Sequence, residues 1–172
     1  MSLFSRLFAP RPDPKEPVRP LWDAIVGEAR APIWYRTCGA ADTVEGRFDM
    51  ITSITAMVML RLDHADDAML TTSARLTELF AEDMEGQLRE TGLGDPTLGK
   101  KMSKMMAALN GRIGAYRTAV PEGVDATAEV VARNSNLRDG QSPRPMAERL
   151  VEFSAHLGGL SDDALLAGAF GR

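Results

Sequence analysis

The segment from 97 to 120 limits the possible folds more than any other part of the 172-residue chain. Its apolar residues recur every three or four positions, which places them on one face of a long α-helix, whereas a half-buried strand would alternate every second residue. A helix of this length must bury that face against other elements, so the pattern predicts a helical bundle. The residues of this apolar stripe are Leu98, Met102, Met105, Met106, Leu109, Ile113, Tyr116 and Val120.

The same periodicity predicts helices in most of the remaining chain, and no segment shows the regular alternation of a strand. The predicted fold class is therefore all-α, a single compact bundle of about six helices with a proline-rich N-terminal arm. Besides 97–120, helices are expected at 21–31, from 42 or 43 to about 62, at 72–91, 126–133 and 145–157, with a short last turn at 162–167.

Several helix ends are marked by residues that commonly stop or cap helices. Gly92 follows the last periodic residue of the third helix, where a glycine often ends a helix. Pro121 is expected to stop the long helix, because proline lacks the backbone N–H that a helix interior needs. Asp125 and Ser161 are candidate N-caps of the two helices that follow them.

The first twenty residues differ from the rest of the chain. Prolines recur every two or three positions between 10 and 20, which predicts an extended linker. The expected division is a flexible arm at 1–20 and a helical domain at 21–172. The start of the arm could contact a membrane surface, or fray, or dock on its own domain. Its apolar residues are Leu3, Phe4, Leu7 and Phe8.

The amino-acid composition argues against several classes of function. With one cysteine and two histidines, the chain cannot form an internal disulfide and has little material for nucleophilic catalysis or a metal site. His64 lies among acidic residues at a helix end, a place where solvated carboxylates are common. A pI near 5.2 and a net charge of −4 argue against DNA binding and fit a cytoplasmic protein. We therefore expect no enzyme activity, no cofactor and no metal.

The long helix also carries an unbalanced set of positive charges. Its charged residues between 97 and 120 are all basic, so they cannot be neutralised within that helix. They either pair with the acid-rich helix before them or face an acidic partner or anionic lipid. Gly111 and Gly114 lie inside the helix and indicate either a closely approaching neighbour or a backbone face open to a partner. The basic residues are Lys100, Lys101, Lys104, Arg112 and Arg117.

Two blocks of this sequence resemble the ubiquinol–cytochrome c chaperone family. The first is DTVEGRFD at 42–49, and the second is FAEDMEGQLRETGLGDPTLGKKMSKMMAALNGRIGAY at 80–116. The resemblance covers about 21–136. It implies a helical, non-enzymatic assembly factor that binds newly made cytochrome b and assists assembly of ubiquinol–cytochrome c reductase, respiratory complex III.

The resemblance also implies partners and a location. Its mitochondrial members act near the ribosomal tunnel exit, and an accessory assembly protein is a further expected partner. In a bacterium this implies a cytoplasmic protein, with the option of a peripheral place at the inner face of the cell membrane. The residues expected to contact a partner are Arg47, Phe48, Asp83, Arg89, Lys100, Lys101, Lys104, Met105, Gly111, Arg112 and Tyr116.

Other readings remain open at the level of sequence. A helical bundle can hold a small apolar ligand such as a quinone or lipid, or can simply dimerise through exposed apolar residues. Some charged residues of the family-like blocks are also expected to pair between helices and fix their register. These are Arg47, Asp49, Asp83, Arg89 and Asp95.

Overall fold

A central helix, Val44–Leu62, organises the structure. In the computed structural model of the protein, every residue from 49 to 59 in this helix is buried. A helix that is covered on all sides is expected in the middle of a bundle, and neighbours from before and after it in the chain pack around it. The β-branched residues of this segment are therefore explained by burial within a helix and not by a strand.

The structure describes residues 13–63, 67–90, 92 and 95–170. Within these ranges the architecture is all-α, with one isolated antiparallel bridge between Ala40 and Leu137. Six of the helices are eleven residues or longer, as the periodicity predicted. The helices are α1 Arg19–Ala29, α2 Pro32–Arg36, α3 Val44–Leu62, α4 Asp67–Glu90, α5 Asp95–Glu122, α6 Val124–Asn134, α7 Arg144–Gly158 and α8 Asp162–Leu166.

Four helices cover the central one. Helix α3 packs against α1, α4, α5 and α7, while α6 lies between α5 and α7. The apolar stripe of α5 faces this core, with Leu109 and Tyr116 fully buried and the three methionines of the stripe half-buried against it. Across the described residues, every helix is either too short or too polar to cross a lipid bilayer.

The beginning of the described chain is more regular than its prolines predict. Residues Glu16–Val18 form a 3₁₀ turn that leads directly into α1, so the helical part begins before position 21. Val18 is buried, and Lys15 forms an ion pair with Glu82 of α4. This stretch is thus attached to the bundle, whereas the part of the predicted arm from 1 to 12, including Leu3, Phe4, Leu7 and Phe8, lies outside the described residues.

The last part of the described chain is attached to the bundle by two sets of contacts. Arg61 of α3 donates hydrogen bonds to the carbonyl oxygens of Leu157 and Leu160 at 3.2 and 3.0 Å, and to Asp162 at 2.7 Å. These carbonyls lie at the end of α7, where an arginine also complements the helix dipole. Phe170 is buried and meets Phe153 edge-to-face.

Of the four helix ends named from the sequence, Gly92 and Ser161 are confirmed, and Thr43 is a further N-cap. Thr43 accepts a hydrogen bond from the Gly46 N–H at 3.1 Å, and Ser161 accepts one from the Ala164 N–H at 3.2 Å. Gly92 has a φ of +77°, the left-handed conformation of a helix stop. Two details are wrong: α5 continues through Pro121 to Glu122, one residue beyond the predicted stop, and the N-cap of α6 is Gly123, which leaves Asp125 inside the helix.

Candidate functional site

An apolar groove opens between three of the long helices. It has a volume of about 430 Å³ and lies on α3, α4 and α5, with Arg30 at its end. We call it the apolar groove. The residues that line it are Arg30, Val44, Arg47, Phe48, Ile51, Met84, Gln87, Leu88 and Met105.

The floor of the groove is buried and its walls are partly exposed. Ile51, Met84 and Leu88 keep less than a tenth of their surface in contact with solvent. Phe48 and Met105 are half-buried, and Val44 at the rim is 79% exposed. Exposing a β-branched apolar side chain beside an apolar depression leaves surface that a partner can remove from water.

A second cavity lies next to the groove. It has a volume of about 330 Å³ and shares Arg30 and Arg47 with the groove. We call it the arginine cavity, because three of its six lining residues carry a guanidinium group. The remaining lining residues are Pro32, Tyr35, Arg36 and Asp42.

The charges of the arginine cavity are only partly compensated. Arg47 donates from Nε to Oδ1 of Asp42 at 2.7 Å, and this hydrogen bond lowers the pKa of the Asp42 carboxyl group. The hydroxyl of Tyr35 donates to the Ala29 carbonyl oxygen at 2.8 Å, and burial raises its pKa. Tyr35 is therefore uncharged. The residues that line the cavity carry three guanidinium groups and one carboxylate.

The structure brings together three of the residues predicted to contact a partner. Arg47, Phe48 and Met105 come from two helices that are far apart in the sequence, and all three line the apolar groove. Asp83 and Arg89 lie on α4, one of its walls, without lining it. Asp83 accepts a hydrogen bond from Gln87 at 3.2 Å, and Arg89 forms an exposed pair with Glu85.

Arg112 and Tyr116 occupy a different place from the one predicted. Arg112 is 4% exposed and pairs with Asp49 of α3 while donating to the Asn134 carbonyl oxygen. Tyr116 is fully buried beside Ser53, their oxygens 3.3 Å apart, and burial raises the pKa of its hydroxyl. The positive face of α5 therefore does not include Arg112, which belongs to the contact between α3 and α5.

The charged residues expected to pair between helices also fall into two groups, one buried and one exposed. Asp49 is buried and joins the cluster around Arg112. Arg47 is not a buried inter-helix partner, because its side chain is 63% exposed in its pair with Asp42. The side chain of Asp95 lies outside the described residues, as do His64 and Asp66 of the acidic segment.

The remaining positive charges of α5 are on the surface. Lys100, Lys101 and Lys104 are exposed, and no carboxylate of the described residues forms an ion pair with them. Arg117 pairs with Asp63, which precedes α4. The sequence left two alternatives for these lysines, pairing with α4 or contact with an acidic partner or lipid. In the described part of the chain none of the three lysines pairs with α4, so they form an exposed basic surface.

Gly111 and Gly114, two of the three glycines inside α5, face open space. A Cβ atom built on Gly111 or Gly114 meets nothing within 4 Å, so a closely packed neighbouring helix is not the reason for either residue. The interpretation that these glycines leave a backbone face open is the one that agrees with the structure.

Replacing Gly111 and Gly114 with alanine should therefore stabilise the protein. We expect a gain of about 0.5–1 kcal/mol for each substitution, because alanine loses less conformational entropy in a helix and has room here. Urea titration of Gly111→Ala and Gly114→Ala measures the change. A loss of stability would show that another part of the chain packs on this face.

Sequence reasoning did not identify the arginine cavity or most of the groove. Arg30 directly follows α1, Tyr35 and Arg36 lie in α2, and only the turn between these two helices brings them beside α3. Val44 carried a weak signal for a role in binding. It is an apolar residue directly after the N-cap of a helix, where capping does not require an apolar side chain. Periodicity places Ile51, Met84 and Leu88 on the apolar faces of their helices, and their role as a groove floor depends on the tertiary packing.

The fold and this surface define an all-α protein with an apolar groove that is basic at one end. A family model described as ubiquinol-cytochrome C chaperone matches residues 36–172. The chain belongs to this family. The match includes the residues after 136, which the resemblance of the two blocks did not cover.

A solved structure agrees with this assignment. The chain is similar to the Cbp3 homolog from Brucella abortus, whose crystal structure superimposes with a TM-score of 0.77 at 27% sequence identity, over 96% of this chain and 94% of that one. A search of curated proteins found no match. Family and fold together support the role of an assembly factor for the respiratory complex.

Proposed function

We propose that this protein is a non-enzymatic chaperone that holds newly made cytochrome b during assembly of ubiquinol–cytochrome c reductase. The observation that carries the proposal is the apolar groove, because it gathers Arg47, Phe48 and Met105 from the two family-like blocks on one accessible surface. An unfinished membrane protein exposes apolar helices, which such a groove can cover. Methionines such as Met84 and Met105 adapt to different apolar shapes.

The exposed lysines of α5 have a supporting role in this proposal. Lys100, Lys101 and Lys104 lie on the helix that supplies Met105, and a basic surface attracts acidic loops or anionic headgroups beside a membrane. Charges of this kind mainly raise the rate of encounter, while apolar burial supplies most of the affinity. The proposed place of action is therefore the cytoplasm of a bacterium, at the inner face of the cell membrane.

Affinity purification of the tagged chain from cells that make the reductase tests this function. We expect cytochrome b in the material captured in mild detergent at low salt, and a fall in reductase level when the gene is deleted. Ribosomal proteins or an accessory assembly protein in the same material would identify the further partners. Absence of cytochrome b together with unchanged reductase levels would refute the proposal and favour a small apolar ligand.

Reversal of the lysine charges should weaken capture and leave the fold intact. In Lys100→Glu with Lys101→Glu and Lys104→Glu, we expect a several-fold loss of captured cytochrome b at low salt and a smaller difference at high salt, because salt screens exposed charges. The matched triple glutamine variant should show an intermediate loss. The melting temperature should not change, and equal capture at low salt would exclude a role for these lysines.

A further inference from the structure

We propose that the apolar groove and the arginine cavity form one binding site for an apolar helix that carries a carboxylate near one end. This inference rests on the proposed chaperone function and assigns the chemistry of the client segment. Arg30 and Arg47 line both cavities, so the apolar surface and the basic one are adjacent. A single ligand can therefore contact both.

The walls of the groove determine the shape of the occupant. Apart from Arg30, which directly follows α1, its lining residues belong to the helices α3, α4 and α5, and no strand of the described residues lines it. The groove thus offers no free backbone edge for strand addition. A bound segment must satisfy its own backbone hydrogen bonds, which a helix does and an extended peptide does not.

The excess of positive charge in the arginine cavity indicates which charged group the end of the bound helix carries. Asp42 receives the hydrogen bond of Arg47, and its carboxylate is the one acid among the residues that line the arginine cavity. Arg30 and Arg36 are exposed and form no ion pair with any carboxylate of the described residues. Two guanidinium groups beside an apolar surface match a carboxylate, which accepts paired hydrogen bonds from arginine.

Full-length protein and a labelled peptide test this site directly. The probe is a fluorescein-labelled peptide of about 16 residues with leucines at helical spacing and one glutamate near its end, compared with the same peptide carrying glutamine. By fluorescence anisotropy we expect the glutamate peptide to bind about tenfold more tightly. In Arg30→Gln with Arg36→Gln this preference should disappear, while Phe48→Ser should weaken both peptides alike.

A matched control separates local from general charge effects. Arg133→Gln removes another exposed arginine, which lies on α6 outside both cavities, and should keep the full preference for glutamate. Equal binding of the two peptides by the native protein, or a preserved preference in the Arg30 and Arg36 variant, would overturn the inference. So would binding of phosphatidylglycerol vesicles that needs both arginines while neither peptide binds.

Cell experiments distinguish failure of this inference from failure of the proposed function. If gene deletion lowers the reductase level and the Arg30 and Arg36 variant restores it fully, chaperone function stands and the carboxylate site is refuted. If the variant restores about as little as the empty vector while remaining folded and abundant, both are supported. If deletion has no effect, the proposed function fails, and the peptide measurements alone decide the chemistry of the groove.

Discussion

Replacing Asp49 with alanine is expected to lower the free energy of unfolding by about 3–5 kcal/mol, because it leaves the guanidinium of Arg112 buried without its counter-charge. Both side chains keep less than a tenth of their surface exposed. Asp49 also accepts hydrogen bonds from the backbone N–H and side-chain amide of Asn136, at 2.8 and 2.7 Å. One carboxylate thus joins α3, α5 and the segment after α6.

The expected loss corresponds to a decrease of roughly 10 °C in melting temperature for a domain of this size. Thermal unfolding of Asp49→Ala measures it, and Asp42→Ala is the matched control. Asp42 forms an exposed aspartate–arginine pair with Arg47 beside the same helix, so its removal should leave the melting temperature nearly unchanged.

A compensating double replacement tests whether the charge itself is responsible. Asp49→Leu together with Arg112→Met removes both members of the pair, and buried ion pairs exchanged for apolar residues are often neutral in stability. We therefore expect the double variant to recover much of the loss. Equal melting temperatures for Asp49→Ala and the native protein would show that Arg112 reaches solvent in solution.

Gly46→Ala should destabilise the protein by about 1–3 kcal/mol through overpacking at the start of α3. A Cβ atom at this position would stand 2.0 Å from the carbonyl oxygen of Ala41 and 2.9 Å from its carbonyl carbon. A backbone group cannot move aside as a flexible side chain can. The substitution must displace the segment 39–41, whose backbone bonds to 136–138, or the first turn of the helix.

Gly111→Ala and Gly114→Ala are the controls for this variant, because they make the same chemical change in a helix with open space around it. Opposite signs of the stability change are the expected result. Urea titration decides the matter, and a stabilised Gly46→Ala would mean that the Ala41 carbonyl lies elsewhere. The contrast also explains why the first family-like block contains a glycine: neighbouring backbone leaves no room for a side chain at that position.

Both predictions concern residues within the family-like blocks that act on the fold. Asp49 and Arg112 come from different blocks, 63 positions apart, and meet in the core. Gly46 allows the preceding loop to approach α3, and that loop also forms one side of the arginine cavity through Asp42. Stability of this region therefore supports the shape of the proposed binding site without direct contact with a client.

The helices and several of their ends could be predicted from the sequence because they depend on local interactions. Spacing of three and four residues reflects the helix period alone, and Thr43, Gly92 and Ser161 act within one turn of their own position. The burial of Arg112 also had a local signal that went unused. It lies three residues after Leu109 and four before Tyr116, so it shares their apolar face.

The groove and its charges depend on how distant helices pack, which the sequence pattern does not show. Periodicity shows which face of a helix is buried, but it does not show which other helix covers that face or where the cover ends. Arg30 lies more than 40 positions before Met84, and the turn of the chain between α1 and α3 places both at the apolar groove. Periodicity established an all-α bundle, and two sequence blocks indicated its family; packing between distant helices left an apolar surface open and placed beside it two arginines that form no ion pair with any carboxylate of the described residues.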